Sequence, residues 1–317
     1  MTGTFKTTES ANVTVNCMLC KQSGTAIDVL SRKLRDDDSG RYSVARCASC
    51  GFVQLAPMPS EQAIANYYNR DMQPKALWPD SDYYAVLERK AEQDNVRRRQ
   101  WLEGCVPPGD GVKVIDAGCG YGFFINELTA YGYHATGLDL SEDRIELARM
   151  RKKGEFVLGS LTDDFVGAHQ GHFDAAMSFH AVEHMPNPTD GIRSLMAVVK
   201  PGGYVLVEVP NIDDELIDQI SEYADHQWQF GHLGYFDKSH LELAARQAGA
   251  RTFDVAGVQR YGLEHLVTWS RTHAPDLSMT EGVPSTPLFA SAEKEYRHGR
   301  EKRLTCDTLI LTIRIEG

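Results

Sequence analysis

The sequence predicts a doubly wound α/β domain preceded by a small four-cysteine module, and three observations carry that prediction. The first is the stretch Val112–Phe124, V-K-V-I-D-A-G-C-G-Y-G-F-F. A β-branched run ends at Asp116, and Gly118, Gly120 and Gly122 lead into an apolar helical pattern. Glycines without Cβ let a ligand lie against the backbone, and the helix N-terminus offers N–H groups to a polar or anionic group. The second is the alternation of strand and helix patterns that follows. The third is Cys17-x-x-Cys20 and Cys47-x-x-Cys50, two knuckles 26 residues apart.

Composition bounds the rest. A chain of 317 residues can bury a sizeable core, and 42% hydrophobic with 24% charged residues is ordinary for a soluble enzyme. No apolar run approaches the ~18 residues of a membrane span, and the first residues lack the apolar core of a signal peptide. A cytoplasmic protein without a membrane partner is expected. Net charge is −11, from 33 Lys and Arg against 44 Asp and Glu. Phosphate contacts dominate nucleic-acid affinity, so no nucleic-acid partner is expected. Glu208 to Asp237 holds eight acids and no Lys or Arg, which reads as a solvated acidic face.

Taken in order, residues 1–60 form the cysteine module. Four thiolates at this spacing can surround one tetrahedral Zn²⁺, and they leave no open position, so Cys17, Cys20, Cys47 and Cys50 are expected to hold a structural metal. Residues 61–110 read as a helical cover and linker: a short capped helix near Ser60–Tyr67, a loop at Met72–Asp80, then a long helix over Asp82–Glu103. Residues 111–317 are the main domain. Strands are expected at 112–116, His134–Leu140, Glu155–Gly159, Phe173–Ser178, Tyr204–Pro210, Arg251–Gln259 and Leu304–Ile315. Helices are expected from Phe123, from Glu142, over Gly191–Val199 and over Lys238–Gly249. Residues 261–303 form an insertion rich in Ser, Pro and charge.

The motifs D-A-G-C-G-Y-G at 116–122, G-L-D-L-S at 137–141, F-D-A-A-M-S at 173–178 and K-P-G-G-Y-V-L-V-E-V-P at 200–210 occur in this order. Together they resemble the class I S-adenosylmethionine-dependent methyltransferases, with their Rossmann-like seven-stranded sheet. That cofactor has no pyrophosphate, so the G-x-G-x-G spacing suits it. The resemblance implies Gly118 and Gly120 against the amino-acid moiety, Asp139 on the ribose hydroxyls and a main-chain contact from Phe179. Asp116, Leu140, Ser160 and Leu161 complete the expected cofactor contacts; Ser160 and Leu161 stand where many relatives carry an Asp for the adenine amino group. The paired knuckles also resemble those of sugar methyltransferases from polysaccharide or natural-product pathways. In the C-methyltransferases among them a histidine before an aromatic pair acts as base. Here His232 stands three residues before Tyr235, but Gln229 replaces an expected tyrosine.

Methyl transfer needs an aligned acceptor and, where required, a base, and an imidazole with pKa ~6.5 suits that role. His232 and His184, the latter within H-A-V-E-H, are the candidates. Asn211 at the pocket rim is expected to orient an acceptor hydroxyl. Arg260, Tyr261 and His265 are expected to form an acceptor-recognition loop; packing or a homodimer contact is the alternative. Asp213 and Asp214 could hold Mg²⁺, although no spacing demands it. The leading function is methyl transfer to a hydroxyl or amine of a sugar-like small molecule. The alternatives are C-methylation of a nucleotide-linked keto-sugar with His232 as base, an RNA base methyltransferase with the ribbon binding RNA, and a non-catalytic cofactor-binding partner protein. Residues 1–60 carry seven Lys/Arg and five Asp/Glu, a weak charge for an RNA-binding module.

Overall fold

The computed structural model describes residues 14–68, 83–275 and 286–317. The expected loop at Met72–Asp80 lies outside them. By its internal contacts the chain divides into two compact units. One comprises Met1–Ile64, Pro210–Leu241 and Ala256–Leu309; the other comprises Ala65–Val209, Glu242–Val255 and Ile310–Gly317.

The first unit holds the cysteines. Strands β1 (Thr14–Val15), β2 (Thr25–Ser31), β3 (Ser43–Cys47) and β4 (Val53–Ala56) are followed in the sheet by β10 (Gly234–Tyr235), in the order β1-β2-β3-β4-β10. The β4–β10 pairing is antiparallel, with Gln54 opposite Gly234 and Val53 opposite Tyr235. Phe52 packs edge-on against Phe236. A strand nearly 180 residues downstream of β4 thus completes the sheet of the N-terminal module, which local patterning could not show.

The second unit is built on a seven-stranded mixed sheet in the order β11-β12-β9-β8-β5-β6-β7. Its strands are β5 (Lys113–Ala117), β6 (His134–Asp139), β7 (Glu155–Leu158), β8 (Phe173–Phe179), β9 (Val199–Pro210), β11 (Thr252–Val258) and β12 (Thr308–Arg314). β5, β6, β7, β8 and β9 pair in parallel, which requires a helical crossover between neighbours and buries both faces. Accordingly Val114, Ile115, Ala175, Ala176, Met177, Val205, Leu206 and Val207 are buried. The long helix runs Tyr83–Cys105 and lays Leu102 into the core beside Val114, Phe124, Ile125 and Leu128.

Two expectations need correction, and the insertion resolves into helices. The helix expected over Gly191–Val199 is Pro188–Ala197, because proline at the first helical position has the right φ and no N–H to lose. The region between the late strands forms helices Leu263–Thr272 and Pro287–Arg303, the second capped by the Thr286 hydroxyl accepting from Phe289 N–H. The acidic stretch is not a solvated face throughout: Glu208 and Asp214 are buried, and Asp237 pairs with His240 at 2.7 Å. Glu215, Asp218 and Glu222 lie in the first turns of helices Glu215–Gln219 and Ser221–Gln227, where the dipole favours negative charge. Among the described residues, no helix is long and apolar enough to cross a membrane.

Candidate active site and cysteine cluster

The glycine turn follows β5. Gly118 and Cys119 N–H groups donate to the Leu138 carbonyl at 2.7 and 3.1 Å, which folds the turn over the end of β6. Gly118 has φ +91°, and a Cβ there would stand 2.5 Å from the Ala181 Cβ, so no side chain fits. Gly120 also has positive φ, but the space a Cβ would enter is open. Its N–H donates to Asp139 Oδ2 at 2.8 Å, while Asp139 Oδ1 accepts from Ser141 N–H at 2.9 Å. A carboxylate has about four acceptor positions, so Asp139 fixes the turn and keeps capacity for hydroxyl donors.

Asp116 sits beneath this turn. It is 4% exposed, and its Oδ1 has no hydrogen-bond partner among the described residues. Burial pushes its carboxyl up to about 7; the Arg98 charge pulls it down, and Asp139 and Glu208 push it further up. A cationic amine is the partner such an orphaned oxygen lacks. At the ends of β6 and β7, Leu140 is 66% and Leu158 45% exposed, an apolar surface suited to a flat ring. An ammonium, hydroxyls and a heterocycle are the parts of S-adenosylmethionine, and these residues fit them.

β8 and β9 end in charge. Phe179 is buried, edge-on to Phe124 at 5.3 Å and beneath the Arg98 guanidinium at 4.8 Å. The next residue, His180, has φ +52°, a conformation that costs a non-glycine residue about 1–3 kcal/mol and clusters at functional positions. Its N–H donates to the Glu208 carbonyl at 2.8 Å and its Nε2 lies 3.0 Å from Glu208 Oε1. Glu208 also meets Arg98 at 2.5 Å and Arg97 at 2.7 Å. Burial alone would raise the Glu208 carboxyl, but Arg98, His180 and Arg97 hold it well below the usual range. Glu183 and His184 follow in a 3-10 turn, Val182–His184. The His184 ring meets the Tyr68 ring edge-on at 6.0 Å.

A family described as "Methyltransferase domain" matches residues 83–255, more than half of the chain. The chain belongs to this methyltransferase family. "Ubiquinone biosynthesis O-methyltransferase" of Thiobacillus denitrificans is 28% identical over 179 residues, 52% of this chain and 75% of that protein. The protein of the same name from Leptothrix cholodnii is 29% identical over 215 residues, 66% of this chain and 81% of that one. Among solved structures, phosphoethanolamine N-methyltransferase 2 of Haemonchus contortus with S-adenosyl-L-methionine is 13% identical, covering 84% of this chain and 62% of that chain at TM-score 0.51. That last likeness shows the fold alone. The chain is an S-adenosylmethionine-dependent methyltransferase.

In this methyltransferase the four cysteines converge in the first unit. Cys17 Sγ is 3.7 Å from Cys50 Sγ, Cys20 Sγ is 3.9 Å from Cys47 Sγ, and all four lie within 4.8 Å of one another. A tetrahedron with ~2.3 Å metal–sulfur bonds has edges of roughly 3.8 Å, so the donor set fits zinc. Burial raises the Cys17 and Cys50 thiols; at Cys47 it is outweighed by N–H donors of Cys50 and Ser49, which bring the thiol to about 7. Around the cluster, His240 Nε2 meets the Cys50 carbonyl at 2.9 Å while its Nδ1 meets Asp237.

The remaining sequence-predicted residues of the methyltransferase fall as follows. His184 lies in the unit of the glycine turn and His232 in the cysteine-bearing unit. His232 is buried in a pocket it lines with Asp214, Tyr223, Gln227 and Tyr235. Arg35 donates to Gln229 Oε1 at 2.7 Å, so the Gln229 amide presents its NH₂ to the His232 ring nitrogens, at 3.0 and 3.3 Å. Asn211, expected to orient an acceptor hydroxyl, is 3% exposed. Its Nδ2 donates to the Cys306 and Leu304 carbonyls and its Oδ1 accepts from Asp213 N–H, so its amide is taken up by backbone. Arg260 donates its N–H to Asp307 and places its guanidinium 5.4 Å from the Tyr261 ring centre; Tyr261 stacks on His265 at 4.3 Å. Ser160 and Leu161 are half-buried after β7, with the Ser160 carbonyl accepting from Thr162 N–H. Sequence reading gives no site role to Arg98 or to the side chains of His180 and Glu208. The one usable signal was the Glu inside the otherwise apolar strand V-L-V-E-V, since a buried acid requires a cation.

Proposed function

We propose that this enzyme methylates a hydroxyl of a small-molecule acceptor, with His184 as the base and one structural zinc in the cysteine cluster. The observation that carries the choice of base is the pairing of a half-buried His184 with the buried carboxylate of Glu183, in the unit that bears the glycine turn. Bound S-adenosylmethionine supplies an electrophilic methyl group on a sulfonium sulfur. The chain's own part is to bind and align: Asp116 answers the ammonium, Gly118 and Gly120 give backbone room, and Asp139 holds ribose hydroxyls. Leu140, Ser160, Leu161 and the Phe179 main chain border the rest. The relatives' O-methyltransferase names favour oxygen over nitrogen or carbon, and their link to ubiquinone biosynthesis gives no support to a sugar. The Gln229 amide at His232 weakens the C-methylation reading. The β10 strand that completes the sheet of the cysteine module, and the weak charge of residues 1–60, favour reading the module as structural over reading it as a separate RNA-binding arm.

Tritiated S-adenosylmethionine offered with three panels, phenols, nucleotide sugars and primary amines, tests the acceptor class. Label on oxygen is expected; label only on nitrogen or carbon would overturn the proposal. With an acceptor so found, His184→Ala should lower kcat by about 10²–10⁴-fold, and near-wild-type turnover would rule His184 out as the base. Elemental analysis should find about one zinc per chain, since four cysteines make one tetrahedral site; an absent metal with four free thiols would remove the zinc.

A further inference from the structure

Glu183 is buried, and neither carboxylate oxygen accepts a hydrogen bond from any described residue. Its Oε1 stands 3.5 Å from His180 Nδ1 and 3.8 Å from His184 Nε2. On the far side of His180 the contacts tighten: Nε2 to Glu208 Oε1 is 3.0 Å, and Arg98 to the same oxygen is 2.5 Å. Arg98, Glu208, His180, Glu183 and His184 therefore form a line of alternating charge-bearing groups. At its Arg98 end the groups meet at hydrogen-bond distance, whereas at the other end Glu183 and His184 stand 3.8 Å apart. A buried carboxylate without hydrogen bonds is costly and calls for an explanation. The left-handed backbone of His180, held by its N–H bond to the Glu208 carbonyl, is a second cost at the same place.

We infer that Glu183 is a positioning residue that answers the charge His184 gains when it takes the acceptor's proton. This rests on the reading of His184 as base. As the acceptor oxygen uses its electron pair to bond the methyl carbon, its O–H bond breaks and the proton passes to the imidazole of His184. The sulfur keeps the electrons of the broken C–S bond and becomes neutral. One positive charge thus moves from donor to imidazole, and the carboxylate already standing 3.8 Å away meets it. His180, anchored by Glu208, stands 3.5 Å from Glu183 on the other side. The other groups facing this line in its unit are Arg97, which meets Glu208, and the Tyr68 ring beside His184.

Titration of the His184 ring resonances in the full-length protein tests the inference without any acceptor. Glu183→Gln keeps the shape and removes the charge. It should lower the proton affinity of His184 at least about tenfold, the usual effect of losing an opposite charge at this distance. A change under about twofold would overturn the role, because loss of a merely structural glutamate would not move this titration. Should Glu183→Gln fail to fold, the wild-type protein labelled with ¹³C at glutamate carboxyls gives the same answer. The Glu183 resonance should move with the His184 midpoint, and a flat response there would overturn the inference equally. An active His184→Ala enzyme would sink the base reading and the inference with it, whereas a flat titration beside an inactive His184→Ala enzyme would sink the inference alone, so the two failures are distinguishable.

Discussion

In the cysteine-bearing unit, Arg300 donates to Asp214, to the Thr305 carbonyl and to the Tyr296 hydroxyl. Asp214 Oδ1 also accepts from Leu216 N–H, and its Oδ2 accepts from the Tyr223 hydroxyl at 2.7 Å. Nearby, both oxygens of Asp307 accept from the Gln259–Tyr261 segment. The glycine-turn unit also pairs a buried carboxylate with arginine, at Arg98 and Glu208, yet there Asp116 Oδ1 and both Glu183 oxygens find no hydrogen bond among the described residues. The two clusters are alike in burial and residue type and differ in how far their carboxylates are closed: among the described residues Gln259 Oε1 and Thr305 Oγ1 lack partners in the first, but the Asp214 and Asp307 oxygens do not. A closed network stabilises one fold; an open one holds acceptor capacity for something that arrives later.

If closure marks structure, breaking the closed cluster should cost the most stability. Arg300→Ala removes the cation from a pair whose side chains are both 3% exposed. Leaving a buried carboxylate uncompensated costs about 3–5 kcal/mol. Burial already pushes Asp214 up to about 6 despite Arg300, so without that cation it would take up a proton more readily still. Urea unfolding at pH 7 measures the loss. A cost below about 1 kcal/mol would mean the cluster is less closed than its hydrogen bonds indicate.

The open cluster should reveal itself through pH. An ordinary Asp titrates at 3.8, whereas Asp116 in the fold is raised to about 7. Between those values the unfolded chain has lost this proton while the native state keeps it. Its contribution to stability is therefore full below pH 3.8 and falls as pH rises towards 7, by a few kcal/mol at most. Asp116→Asn should remove that fall, giving the cofactor-free protein a smaller loss of urea midpoint between pH 5 and pH 8. S-adenosylmethionine should also flatten it in the wild type, because an ammonium at Oδ1 favours the ionised carboxylate. An unchanged slope in Asp116→Asn would place the orphaned oxygen outside the titration.

What sequence reading reached, and what it missed, follows the same division. The strand-to-helix turn at Val112–Phe124 and the knuckles at Cys17–Cys20 and Cys47–Cys50 are local, and spacing alone predicts them. Asp139 is nearly local, one strand beyond the turn. The Arg98–Glu208 pair joins residues 110 apart in sequence, and Asp214–Arg300 joins residues 86 apart. No periodicity links such partners, so the acidic run from Glu208 reads as solvated until the arginines are placed. The same limit hid β10, whose two residues gain their strand character only from pairing with β4. By contrast, the helix at Pro287 was legible from Thr286 as a cap and Pro287 as a first residue, signals lost among the charges that follow.

The smallest expected effect lies at the edge of the closed cluster. Tyr261 is 41% exposed and stacks on His265 at 4.3 Å with the rings 17° apart. It is the Tyr261 main-chain N–H that donates to Asp307, so alanine keeps that bond and loses only the ring. Tyr261→Ala should then cost about 0.5–1.5 kcal/mol, the usual worth of an aromatic pair, well below the cost of Arg300→Ala. Parallel urea titrations of the two variants settle the order. A loss from Tyr261→Ala as large as that from Arg300→Ala would show that the exposed ring, and not the buried arginine, keeps the Asp307 cluster shut. A small stability loss joined to a raised acceptor KM at unchanged kcat would instead mark the ring as an acceptor contact on the rim of a structural core.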